Sequence, residues 1–153
     1  MDAYYSQKTK SLDMKVVASG AAKHLLDGVL CTVWRPADAA TSGWVVFELP
    51  GDEPTPIGAF MILASHTAYR GEFNRHVREF KLHVRTSPDD PWKEVGKYTR
   101  YRREEGRVFP IGLFSPEGPP KAKQVKLEIL SNHGAPILEV AEFRLYRAGK
   151  MVE

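Results

Sequence analysis

The sequence predicts an all-β fold, an antiparallel sandwich of short strands with one short helix. Three observations carry this. Apolar residues recur with a period of two through most of the chain, the spacing that sends alternate side chains to opposite faces of a strand. The 12 glycines and 11 prolines are scattered rather than collected in linkers, as a fold with many turns requires. At 153 residues, 42% hydrophobic and 27% charged, the chain is long enough for one filled core and short for two.

Residues 1–13 are read as a polar N-terminal segment of which the Tyr4-Tyr5 pair alone is expected to dock on the body of the domain. The domain is read as 14–147, with a tail at 148–153. Met14 to Ala18 is a short apolar strand. Ala21 to Leu26 has helix-forming composition and stops at Asp27-Gly28. Trp44 to Leu49 is aromatic and β-branched, closed by Pro50-Gly51. Ile57 to Ala64 is almost continuously apolar, which predicts a central strand covered on both faces. Val77 to Arg85 alternates and turns Phe80, Leu82 and Val84 to the core. Ser87-Pro88-Asp89-Asp90-Pro91 is turn chemistry, with fixed proline dihedrals beside Asp side chains that bond nearby backbone. Trp92 to Tyr98 follows as a strand. Lys123 to Leu130 places Val125, Leu127 and Ile129 inward, and Glu139 to Tyr146 is the last strand. The step from Val140 to Phe143 breaks strict alternation and predicts a bulge.

Composition excludes several functions. The formal net charge of +3 is too small to predict a nucleic-acid partner. No run approaches the ~18 apolar residues that would predict membrane insertion. Cys31 is the only cysteine, so no intrachain disulfide forms, and it is read as a buried inert thiol in Val29-Leu30-Cys31. One thiol, and an N-terminus without a basic segment leading an apolar run, predict an intracellular, cytoplasmic protein. His24, His66, His76, His83 and His133 follow no metal-ligand spacing. There is no nucleophile elbow, phosphate loop or dinucleotide fingerprint. The expectation is a binding module and not an enzyme.

Four ordered segments resemble the discoidin, or galactose-binding-like, superfamily of coagulation-factor C-type domains. They are Leu25-Leu26-Asp27-Gly28 with Thr32 and Trp34; Trp44 to Leu49; Val77 to Val84 with Trp92 to Gly96; and Val125 to Leu130 with Glu139 to Tyr146. The resemblance covers about residues 14 to 147 and implies a jelly-roll β-sandwich. Leu127 to Gly134 followed by Pro136 is also similar to the C-terminal signature of SUN domains and of the DOC-type subunit of the anaphase-promoting complex.

The resemblance implies two sites. In many relatives a structural Ca²⁺ sits in the Asp-Gly loop, and the matching residues are Asp27, Thr32 and Glu142. The alternative is that Asp27 caps a turn and Glu142 is solvated, leaving the domain without a cofactor. Relatives hold ligands at the loop end of the sandwich. Here that end would gather the loop after Trp34, the loop from Ser65 to His76, and Ser131-Asn132-His133-Gly134. The expected contacts are Arg35, His66, Tyr69, Arg70, Phe73, Arg75 and His133, with Tyr69, Arg70, Phe73 and Arg75 as anchors. The leading expectation is a protein or peptide partner within a scaffold, ubiquitin-ligase or cytoskeletal/ciliary assembly. The alternative is a glycan, with Tyr69, Trp34 and His66 supplying a stacking ring and donors; Trp34 itself reads first as core. Arg100-Tyr101-Arg102-Arg103 through Arg107 reads as a solvated hairpin tip, its charge offset by Glu104 and Glu105.

Overall fold

The structure is a computed structural model that describes residues 11–18, 20–28, 33–36, 40–64, 72–101, 107–112 and 116–149. Its strands are β1 (Lys15–Ala18), β2 (Gly43–Glu48), β3 (Thr55–Leu63), β4 (Val77–Arg85), β5 (Lys93–Thr99), β6 (Phe109–Pro110), β7 (Lys121–Ala122), β8 (Gln124–Asn132) and β9 (Glu142–Arg147). Five form one antiparallel sheet in the order β1-β2-β8-β4-β5. In the second sheet β3 pairs with β6, β7 and β9, all antiparallel. The two sheets enclose the core, as the alternation predicts.

The expected faces are the observed ones. Phe80, Leu82 and Val84 of β4 and Val125, Leu127 and Ile129 of β8 are all buried. Phe60 on β3 is the hub of an aromatic cluster, its ring 5.0 Å from Phe109, 5.0 Å from Tyr98, 5.8 Å from Phe143 and 5.9 Å from Phe80. Phe143 in turn stacks on Phe47 at 4.9 Å. β3 is covered on both sides, as its continuous apolar run predicts: Ala59, Met61 and Leu63 form a second cluster with Val108 and Tyr146. The Tyr146 hydroxyl donates to the Met61 sulfur at 3.3 Å, which satisfies its polar end in that apolar layer. Among the described residues no helix is long and apolar enough to cross a membrane.

Three elements differ from expectation. The short helix is a 3-10 helix, Gly20–Leu26. It ends where Gly28 takes a φ of +74°, a backbone conformation that costs glycine little. The break in alternation near Val140 is not a bulge. Val140 forms an isolated bridge with Trp34, and the chain then changes partner and runs along β3 from Glu142. That exchange frees Glu139 from any strand. Finally, Arg100 is not on a solvated tip: it is 1% exposed, while Tyr101 beside it is 69% exposed.

Candidate functional site at the loop end

The strand register decides which loops meet. Val77 at the start of β4 pairs with Asn132 at the end of β8, and Leu63 at the end of β3 pairs with Glu142 at the start of β9. Gly43 at the start of β2 pairs with Ile129. The connections before β2, before β4 and after β8 therefore emerge at one end of the sandwich.

Glu139 ties them together. Nε of Arg35 and Nη1 of Arg75 each donate to its Oε1 at 2.9 Å, and Nη2 of Arg35 donates to the same oxygen. Its backbone N–H donates to the Arg75 carbonyl at 2.9 Å. The bridge between Trp34 and Val140, N–H to carbonyl at 2.8 and 3.1 Å, fixes Arg35 beside it. Two guanidiniums on one carboxylate oxygen leave net positive charge, and the side chains of Arg35 and Arg75 are 48% and 35% exposed against 10% for Glu139. The cluster is thus a rim whose two arginine side chains are partly exposed.

The Ser131-to-Pro136 stretch is built for local order. Nδ2 of Asn132 donates to the carbonyls of Ala135 and Ile137, both at 2.9 Å, and its Oδ1 accepts from the Gly134 N–H at 3.1 Å. Gly134 has a φ of +107°, which lets the turn close. The N–H groups of His133 and Ala135 both donate to the Asn74 carbonyl, at 3.0 and 3.3 Å, and clip this turn to the 3-10 turn Glu72–Arg75.

Beneath the rim lie His76, His133 and Arg100. His76 is 2% exposed, with Nδ1 3.4 Å from the Glu139 carbonyl. Burial, aided by the Arg100 charge, holds its pKa down at about 3, so the ring is neutral. Burial also lowers the pKa of half-buried His133, with Arg100 and Arg78 acting the same way. Among the described residues neither ring has a partner for Nε2. These histidines support the loop from below.

Of the expected contacts, the structure brings Arg35 and Arg75 together and puts His133 under them. His66, Tyr69 and Arg70 lie outside the described residues, as does the side chain of Phe73. The chain that carries them leaves from Ala64 and returns at Glu72, both at this end. Trp34 is 2% exposed, so it is core and offers no stacking face. Sequence reasoning missed Glu139 as a site residue because it sat at the start of an expected strand. The only available signal was an acid next to the break in alternation.

The expected cation site lies along the edge between the sheets. Asp27, Gly28 and Glu142 line a cleft of about 290 Å³ with Ser11, Leu12 and Arg144. Oε2 of Glu142 accepts from Nε of Arg144 at 2.8 Å and lies 2.6 Å from its Nη2. Asp27 is paired with His24 at 3.5 Å, and Thr32 lies outside the described residues. Ca²⁺ takes six to eight oxygens. Among the described residues no three metal-binding side chains converge, and a guanidinium already neutralises Glu142. The described donors do not fit Ca²⁺. A larger groove, about 660 Å³, opens at the opposite end between Arg85, Pro91, Val95, Pro119 and Lys121. Lys93 and Glu117 face each other there at 4.0 Å.

The fold has counterparts among solved structures. A family 32 carbohydrate-binding module from Streptococcus pneumoniae EndoD superposes with a TM-score of 0.67 over 91% of this chain and 99% of that one, at 13% identity. An F5/8 type C domain from Bacteroides fragilis gives 0.65 over 92% and 97%, at 18% identity. The fold is discoidin-like. A third discoidin-like neighbour, the Clostridium perfringens module CpGH89CBM32-5, was solved in complex with GalNAc-β-1,3-galactose; it gives 0.64 over 88% and 94%, at 18% identity. No family model matches the sequence, and no curated protein is similar to it. At these identities the likeness extends to the discoidin-like fold, and it lends no support to the SUN- and DOC-like reading of Ser131 to Pro136.

Proposed function

We propose that this domain is a non-catalytic carbohydrate-binding module that holds a glycan at the loop end. The observation that carries the reading is the rim of Arg35 and Arg75 held by Glu139, two partly exposed guanidiniums within one small surface. Planar guanidinium forks of this kind donate to the oxygens of adjacent sugar substituents. The backbone bonds from Asn74, Arg75 and Trp34 hold the rim before ligand arrives, which limits the ordering cost of binding. A glycan is favoured over the protein partner for a second reason: one structural neighbour carries a galactose-containing disaccharide in its crystals. Tyr69 is the candidate for stacking on a sugar face, a role that buried Trp34 cannot fill.

A glycan array followed by calorimetry on the best hit tests this. The expected result is a saccharide whose affinity falls by about tenfold or more in Arg35→Ala and in Arg75→Ala, each having lost a charge-assisted hydrogen bond. An array without hits sinks the reading. A hit indifferent to both substitutions removes the site.

A further inference from the structure

We infer that the glycan held at the loop end is acidic, a saccharide bearing a carboxylate such as a uronic acid; this rests on the carbohydrate reading above. The argument begins with stoichiometry. Arg35 and Arg75 converge on a single oxygen of a single carboxylate, and among the described residues neither forms an ion pair with another acid. A guanidinium has five N–H donors in a rigid fork suited to carboxylates. Glu139 takes two from Arg35 and one from Arg75. The rest lie on side chains that are a third to a half exposed. A second carboxylate, arriving from solvent, would complete a cluster of two cations and two anions.

The surroundings reinforce this preference. Arg78 is exposed and Arg100 is buried, and the Arg100 N–H donates to the Arg78 carbonyl at 2.7 Å, which puts both backbones at the same end. Glu79, the nearby acid on β4, faces Lys97 at 4.0 Å. Among the described residues of this end, Arg35, Arg75 and exposed Arg78 therefore stand against Glu139. Their field attracts an anion and gives a neutral sugar no comparable gain. The low side-chain exposure of Glu139, 10%, and its link to both arginines make it a positioning residue: it holds the two forks at one spacing.

Calorimetry on the intact domain tests the inference, using trigalacturonic acid and a neutral galactose trisaccharide at low and high NaCl. At low salt the acidic sugar should bind at least about tenfold tighter, and that advantage should shrink several-fold near ~0.5 M NaCl, where exposed charges are screened. Arg35→Gln leaves Arg75 on Glu139, and it should bring the two affinities close to parity with little change in melting temperature. Equal or tighter binding of the neutral sugar overturns the inference and leaves the carbohydrate reading standing. An acidic preference undiminished in Arg35→Gln overturns the assignment to this rim. Failure of both sugars to bind, along with every glycan on the array, overturns the carbohydrate reading itself.

Discussion

His76 shows how a single residue ties stability to pH. In the unfolded chain its ring takes up a proton near pH 6.5, whereas in the fold the pKa is about 3. Above the unfolded value both states are neutral, and the buried ring's contribution is fully present. As pH falls from 6.5 toward 3 only the unfolded chain binds the proton, so stability is lost at up to about 1.4 kcal/mol per pH unit. His133 shifts in the same direction. Urea melts at several pH values should show stability declining steeply below about pH 6, and His76→Gln should flatten that slope. An equal slope in the variant would show that another group controls the acid limb. Glu139 acts differently. Its carbonyl faces His76 and its carboxylate holds two arginines, so one residue joins the buried ring to the rim.

At the scale of the element, the turn from Asn132 to Val140 illustrates why a loop can be as ordered as a strand. Its groups are bonded to Asn74 and Arg75 in the turn before β4 and to Trp34 and Ala40 in the connection before β2. The Asn132 side chain adds three bonds while only 7% exposed. Asn132→Ala leaves two inward carbonyls and one N–H without that partner. The expected cost is about 2–3 kcal/mol, seen as a fall in melting temperature of roughly 5–10 °C. A change under ~1 °C would mean that water replaces the side chain. The same element explains the alternation break, because the chain there leaves Trp34 and joins β3. A change of partner between two ladders is invisible to a pattern that reports only which face is buried.

For the whole molecule, the question is what closes the edge where Asp27-Gly28 meets β9. Glu142 is 4% exposed and carries its own cation, Arg144, two residues along the strand. The Glu142 carboxylate is thus already balanced by a cation of its own strand. The melting temperature is expected to agree within about 1 °C in EDTA and in millimolar Ca²⁺, because a ligand that binds the folded state must raise it. A clear rise with Ca²⁺ would overturn this. Stability otherwise rests on the continuous aromatic core around Phe60, which reaches β4, β5, β6 and β9.

The sequence by itself determined the layers. Alternation in Val77–Arg85 and Lys123–Leu130 named Phe80, Leu82, Val84, Val125, Leu127 and Ile129 as inward, because strand periodicity is local; Val77, assigned to the other face, is buried as well, beyond a register shift at Glu79. The apolar run of β3 announced two covered faces for the same reason. Arg35 and Arg75 were named as site candidates because the resemblance implies a ligand site at the loop end and those loops carry them. Only the tertiary structure decided that they share one carboxylate, since Glu139 stands 104 residues from the first and 64 from the second. The burial of Arg100 was equally hidden: a basic run beside glutamates has the composition of a solvated tip. No local pattern records that its neighbours are two histidines from other parts of the chain. Periodicity reports which way a side chain points, whereas the register between distant strands decides what it meets.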